Sequence, residues 1–203
     1  MTSGVKMKSL SRIGAATLLA LLSLFTAVPA WALDLDGLMA LLSQRKSGEA
    51  RFTEERTVST LDSPLRASGT LTFTAPDRFA RYTLEPRPES MEVQGNSVVL
   101  KRGNRTRQLA LDAVPELAAL ADAMRGTLSG DAQALRKHFR TEVSGGPTKW
   151  VLTLTPVDAQ LAGSVRQLEI AGQGADLRSI DLRLAGGDRS LMLVEPLNAT
   201  PQK

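Results

Sequence analysis

"GTLTFTAPDRFARYTL", residues 69–84, decides how the rest of the chain is read. Before the proline, Gly69, Leu71, Phe73 and Ala75 share one parity, and Ser68, Thr70, Thr72 and Thr74 share the other. Side chains alternate across a strand, so this is a strand with one apolar and one wet face. Pro76 and Asp77 make a turn, because proline presets a turn dihedral and has no amide proton for a central ladder. "RFARYTLEP" returns as a second strand, with Ala80, Tyr82 and Leu84 assigned to one face, and Pro86 and Pro88 end it. Nothing in the stretch can do chemistry; what it offers is an apolar wall.

The same period extends on both sides. Upstream, "EARFTEERTVS" (49–59) is a strand, followed by a loop at Leu61–Pro64. Downstream, "SMEVQGN", "SVVLKRGN" and "RTRQLALD" are short strands joined at Gly95-Asn96 and Gly103-Asn104, the turn chemistry of a meander. The period then changes to that of a helix in "VPELAALADAMRGTLSG". Pro115 and Glu116 suit a first turn, and Leu117, Leu120, Met124 and Leu128 form one apolar stripe. Asp131 opens a shorter helix carrying Leu135 and Phe139. Alternation resumes in "KWVLTLTPV", with Trp150, Leu152 and Leu154 together, in "SVRQLEIAG", with Leu168 and Ile170, and in a hairpin about Gly186-Gly187. Ahead of all this, "LDLDGLMALLSQRKSG" (33–48) is a helix with Asp36 as cap, Leu35, Leu38, Met39 and Leu42 as its apolar face, and Gly48 to close it.

The chain has 203 residues, 42% hydrophobic and 23% charged, which suits one globular domain. Lys6, Lys8 and Arg12 precede an apolar run, "IGAATLLALLSLFTAVPA", and "AWA" at 30–32 is a small-x-small cleavage site, so residues 1–32 are read as a secretory signal peptide and 33–203 as the mature domain. An uncleaved membrane anchor is the rival reading; Pro29 and the A-x-A ending favour processing. Three of the 25 basic residues and none of the 21 acidic ones precede residue 33, which leaves the mature chain near +1 and gives no basic field for nucleic acid. The absence of cysteine excludes disulfides, thiolate catalysis, Cys-ligated metal and lipid attachment at the cleavage site. A periplasmic location follows as the simplest reading.

No constellation of catalytic residues stands out. His138 is the lone histidine and has no acidic partner nearby in sequence, and no G-x-S-x-G elbow occurs. Ser43–Lys46 matches S-x-x-K without the motifs that accompany it in serine enzymes, and Gly172-Gln173-Gly174 lacks a third glycine and a following helix. Glu54 and Glu55 are adjacent on a strand and therefore point to opposite faces. No metal spacing such as H-E-x-x-H exists, so neither a metal, a cofactor nor an enzymatic activity is expected.

A leader, a helix, "ARFTEE", the pattern G-x-L-x-F-x-x-P-x-x-F, a strand closed by "LEPRPE", two mid-chain helices and a strand-rich second half resemble, in that order, the LolA-like outer-membrane lipoprotein carriers, over most of residues 34–195. The resemblance implies an α+β, mostly β fold: an incomplete, strongly curved antiparallel half-barrel with a helical lid over an apolar cavity, cofactor-free and monomeric. It implies a periplasmic carrier that takes acyl chains of lipoproteins or lipids towards the outer membrane, between an inner-membrane transporter and an outer-membrane acceptor. On that reading the sheet contributes Leu71, Phe73, Tyr82, Leu84, Leu152, Leu154, Leu168 and Ile170 to the cavity, and the lid Leu117, Leu120 and Met124. The inner faces are mostly aliphatic, with only six aromatic residues after position 32, a lining that accommodates flexible chains.

The chain departs from the family pattern in three places, one of them the short tail after Pro196, "LNATPQK", where the carriers usually add further strand. Ala75 stands where the carriers commonly have a basic residue that latches the lid, and "FARY" displaces an aromatic. The chain looks similar to the divergent group associated with aryl-polyene or acyl-lipid clusters. Lys101, Arg102, Arg105 and Arg107 surround a hairpin turn, either as a solvated loop guarding an edge strand or as a landing patch for anionic headgroups or an acidic partner. The alternative function is a structural or interaction module with a solid core, and a hydrolase comes third.

Overall fold

A computed structural model describes residues 33–197 together with Met1. The leader and its cleavage site lie outside the described residues. No helix among the described residues is long and apolar enough to cross a membrane.

Eleven strands form one antiparallel sheet: β1 (Ser47–Thr57), β2 (Leu65–Thr74), β3 (Arg78–Glu85), β4 (Glu89–Gln94), β5 (Ser97–Arg102), β6 (Arg105–Ala110), β7 (Phe139–Gly146), β8 (Lys149–Pro156), β9 (Val165–Gln173), β10 (Asp176–Leu184) and β11 (Arg189–Pro196). Their order is β6-β5-β4-β3-β2-β1-β11-β10-β9-β8-β7. The chain thus lays down one meander, crosses over through helices, lays down a second, and joins the two by pairing its last strand with its first, Phe52 opposite Val194. β6 and β7 are left as edges, so the sheet does not close, an architecture that fits a half-barrel. Short hairpins make this meander; Gly95 and Gly103 take positive φ of 53° and 55° in two of them.

Among the described residues four α-helices accompany the sheet: α1 (Leu35–Leu42), α2 (Pro115–Ser129), α3 (Ala132–His138) and α4 (Ala159–Ser164). α1 buries the four residues its period predicts, but its cap is Asp34, whose carboxylate accepts from Gly37 N at 2.8 Å, with Asp36 inside the first turn. Gly48 does not end α1; it already lies in β1. α3 opens at Asp131 as expected and stops at His138, so Phe139 starts β7 rather than ending the helix. The six residues of α4, capped by Asp158, are too few to show a helical period in the sequence.

The apolar interior is divided. The larger cluster joins α1, Ala119 and Ala123 of α2, Leu135 of α3, Leu161 of α4 and the β8–β9 residues Trp150, Leu152, Leu154, Leu168 and Ile170. A smaller one gathers Val93, Val98, Leu111 and Ala121. α2 therefore packs on both halves of the sheet through its alanines. The G-x-G of residues 172–174 belongs to the larger cluster's packing: a Cβ on Gly172 would stand 2.2 Å from Trp150 Cζ2, and Gly174 O accepts from the Trp150 indole at 2.9 Å.

Candidate functional site

Directly paired residues of adjacent antiparallel strands share a face. The register therefore places Leu71 with Arg81 and Ala50, and Phe73 with Phe79 and Gly48, on the face that meets the helices. Thr74 pairs with Arg78 across three intervening residues, so inner positions of β3 have the same odd parity as those of β2. This inverts the expected facing of β3. Tyr82 and Leu84, assigned to the cavity from sequence, point outward and are 37% and 60% exposed. Phe79 and Arg81 take their places.

Between the two apolar clusters lies a recess of about 320 Å³. It follows β1 from Gly48 to Arg56, a rise of about 26 Å at about 3.3 Å per residue. Of the residues singled out from sequence, it is lined by Leu71, Phe73, Leu120, Met124 and Leu168. The stripe on α2 explains the opening. Ala119, Ala123 and Thr127 are buried to 2%, 0% and 0% exposure, whereas Leu120, Met124 and Leu128, one helical step away, are only half-buried and border the recess. Small residues bring the helix close to its neighbours, and the large ones overlook space they do not fill.

The remaining assignments fall elsewhere. Leu152, Leu154 and Ile170 have no exposed surface and sit inside the larger cluster, beneath the helices, where they fill the core and do not border the recess. Leu117 packs against the smaller cluster. Strand alternation identified the face of these residues, but whether a helix covers them depends on where α1 docks, which alternation does not encode. Met91, Met192, Ile180, Leu182 and Val194 line the recess and went unrecognised.

Charged groups mark both ends of the recess. At one end Arg45 pairs with Asp176. At the other, Glu54 projects from β1 with 7% exposure. Arg81 Nη2 donates to its Oε2 at 2.5 Å, Ser190 Oγ donates to its Oε1, and Arg56 lies 3.4 Å away. Burial pushes the Glu54 carboxyl up, but the Ser190 hydrogen bond and the two guanidinium charges outweigh it and hold the group below the usual carboxylate range. Arg81 also stacks on the Phe52 ring, 4.7 Å from its centroid. Nothing in a strand's alternation announces a buried charge pair, so this end was missed. On the opposite face, Asp181 is held in the same way by Arg189 and Arg183.

The helix over the recess is fastened from its own side. Arg125 of α2 donates to Gly95 O in the β4–β5 turn and to Asp122 Oδ1 at 3.2 Å. Asp122 in turn lies 3.2 Å from His138 Nε2, the acidic partner that a search of adjacent residues could not reveal. Ala75 takes no such part; its amide donates to Lys46 O at 2.8 Å.

The four basic residues come together around another recess, of about 520 Å³. Lys101 pairs with Glu92 at 3.2 Å and Arg102 with Glu89 at 2.7 Å, while Arg105 and Arg107 stand exposed on the edge strand. Among the described residues no group of three or more His, Asp or Glu side chains converges as metal ligands would.

Residues 27–199 match the family described as outer membrane lipoprotein carrier protein LolA-like, and the chain belongs to that family. Similar solved structures include a LolA-superfamily protein of Nitrosomonas europaea, 10% identical with a TM-score of 0.42, over 82% of this chain and 93% of that one. A putative outer membrane lipoprotein-sorting protein domain from Vibrio parahaemolyticus is 9% identical with a TM-score of 0.42, over 84% and 94% of the two chains. The lipoprotein LppX of Mycobacterium tuberculosis is 11% identical with a TM-score of 0.37, over 83% and 98%. No curated protein matches the chain.

Proposed function

We propose that this protein is a periplasmic carrier that binds the acyl chains of lipoproteins or lipids in the recess along β1 and delivers them towards the outer membrane, without chemistry on its cargo. The observation that carries the reading is the half-buried stripe Leu120, Met124 and Leu128 facing a space between two separately packed clusters. Apolar side chains overlooking unfilled volume are an unmet burial, and a hydrocarbon guest meets it. Membership of a family of lipoprotein carriers, whose members are generally periplasmic, supports the same reading.

The energetics suit transfer. A buried methylene contributes about 0.8 kcal/mol, so half of a sixteen-carbon chain contributes about 6 kcal/mol. Association costs offset much of that. An open-ended recess that covers its guest in part holds it firmly enough to shield it and loosely enough to release it. Native mass spectrometry of the protein recovered from the periplasm tests this: a co-purifying acyl-bearing species is expected, and a chain that is free of lipid and takes none up from detergent-dispersed lipid overturns the reading.

A further inference from the structure

The apolar recess and the basic recess share two walls, Arg81 and Met91. The pairing register explains why. Arg81, Met91, Leu100 and Arg107 form one cross-strand row on the inner face, and Thr83, Glu89, Arg102 and Arg105 form the next. Walking outward from the aliphatic groove along these rows, a side chain meets Arg81 first and then the guanidinium groups of the edge strand. Five cations (Arg81, Lys101, Arg102, Arg105, Arg107) and one carboxylate, Glu89, line the basic recess.

We propose that the cargo is an acyl lipid whose head is an oxyanion, its chain in the groove and its head in the arginine-lined recess. The inference rests on the carrier reading and adds the class of ligand. Guanidinium groups present paired donors that match phosphate and carboxylate oxygens. Arg81 has the capacity to spare: Glu54 takes one Nη, while its Nε is buried with no acceptor among the described residues. A buried donor left unpaired is costly, and an anionic oxygen arriving from the basic side satisfies it. Glu54 keeps Arg81 extended across the Phe52 ring and so holds the junction between head and tail in place. Arg105 and Arg107 have no carboxylate partner among the described residues and are free to meet the head.

The test compares ligands with one chain and different heads, binding to the full mature protein: oleoyl lysophosphatidate, oleate and the neutral monoolein. The two anions are expected to bind at least tenfold more tightly than monoolein, with the advantage falling as salt is raised. The Arg105→Ser/Arg107→Ser variant, which alters only exposed edge positions, is expected to lose that advantage while binding monoolein as before. Lysophosphatidate ahead of oleate assigns a phosphate head, and the reverse order a carboxylate; either supports the proposal. Equal binding of all three overturns the anionic head and leaves the carrier reading standing. Binding of none overturns both. Inorganic phosphate that binds as tightly as lysophosphatidate overturns the lipid assignment in favour of a free-anion site.

Discussion

Glu54 of β1 and Arg81 of β3 meet over the one strand between them on the inner wall of the sheet, carboxylate to guanidinium at 2.5 Å, with Glu54 buried and the Arg81 side chain 21% exposed. The pair sits at one end of a mostly apolar recess, and pairs of this kind seldom stabilise a fold more than apolar residues of the same size.

Breaking this pair from one side is expected to cost more than removing it. Arg81→Met leaves the Glu54 carboxylate buried with Ser190 and with Arg56 at 3.4 Å, and should lower the unfolding free energy by about 3 kcal/mol. Glu54→Gln with Arg81→Met should recover much of that loss. Chemical denaturation of the two single variants and the double variant gives the coupling directly; additive losses would show that the two groups do not act as a pair.

Acid should weaken the fold through the same carboxylate. Glu54 and Asp181 are both held below their ordinary values in the folded state, burial opposing and the hydrogen bonds and arginines prevailing. Groups whose folded pKa is depressed stabilise above the unfolded value and lose that contribution as pH falls through the folded one. Stability should therefore be level from about pH 7 to 5 and decline progressively below about pH 5, where unfolded carboxylates begin to bind protons. Denaturation midpoints across that range check it, and Glu54→Gln should flatten the decline.

The groove and the core should separate under the same substitution. Leu120→Arg places a charge at a half-buried wall of the recess, with room for the chain to reach solvent, and is expected to leave a folded protein that no longer takes up acyl chains. Leu152→Arg puts the charge where nothing is exposed, inside the larger cluster, and should unfold the domain. Far-ultraviolet circular dichroism alongside a lipid-uptake assay distinguishes the two; loss of fold in both would mean the recess is part of the core.

The latch on α2 should govern access. Arg125→Ala removes the bonds to Gly95 O and Asp122 and should cost about 1–2 kcal/mol. Amide exchange in residues 115–129 should quicken, and bound lipid should leave faster, while β8 and β9 keep their protection. Unchanged exchange in α2 would show that the helix is held by its alanines alone.

How much of this was legible beforehand follows from what each signal encodes. Alternation and turn residues located strands from Leu71 to Leu184 and the hairpins at Gly95 and Gly103, because those patterns are local. The facing of β3 was lost because three residues, not two, separate Thr74 from Arg78, and that spacing sets the parity of every side chain after it. Leu152 and Leu154 were placed on the right face but in the wrong role, because the docking of α1 is a tertiary event. Glu54, Arg81 and Arg125 act through partners 27 to 136 residues away, a distance at which one sequence carries no signal.

The central claim, that hydrocarbon occupies the space beneath α2, is tested most directly by the methionines. Met91, Met124 and Met192 border the recess, while Met39 is buried in the larger cluster with 3% exposure. With methyl-labelled methionine and a bound acyl lipid, nuclear Overhauser contacts from the chain should reach Met91, Met124 and Met192 and leave Met39 untouched. Lipid that binds with no contact to any of the three would place the chain elsewhere and contradict the account.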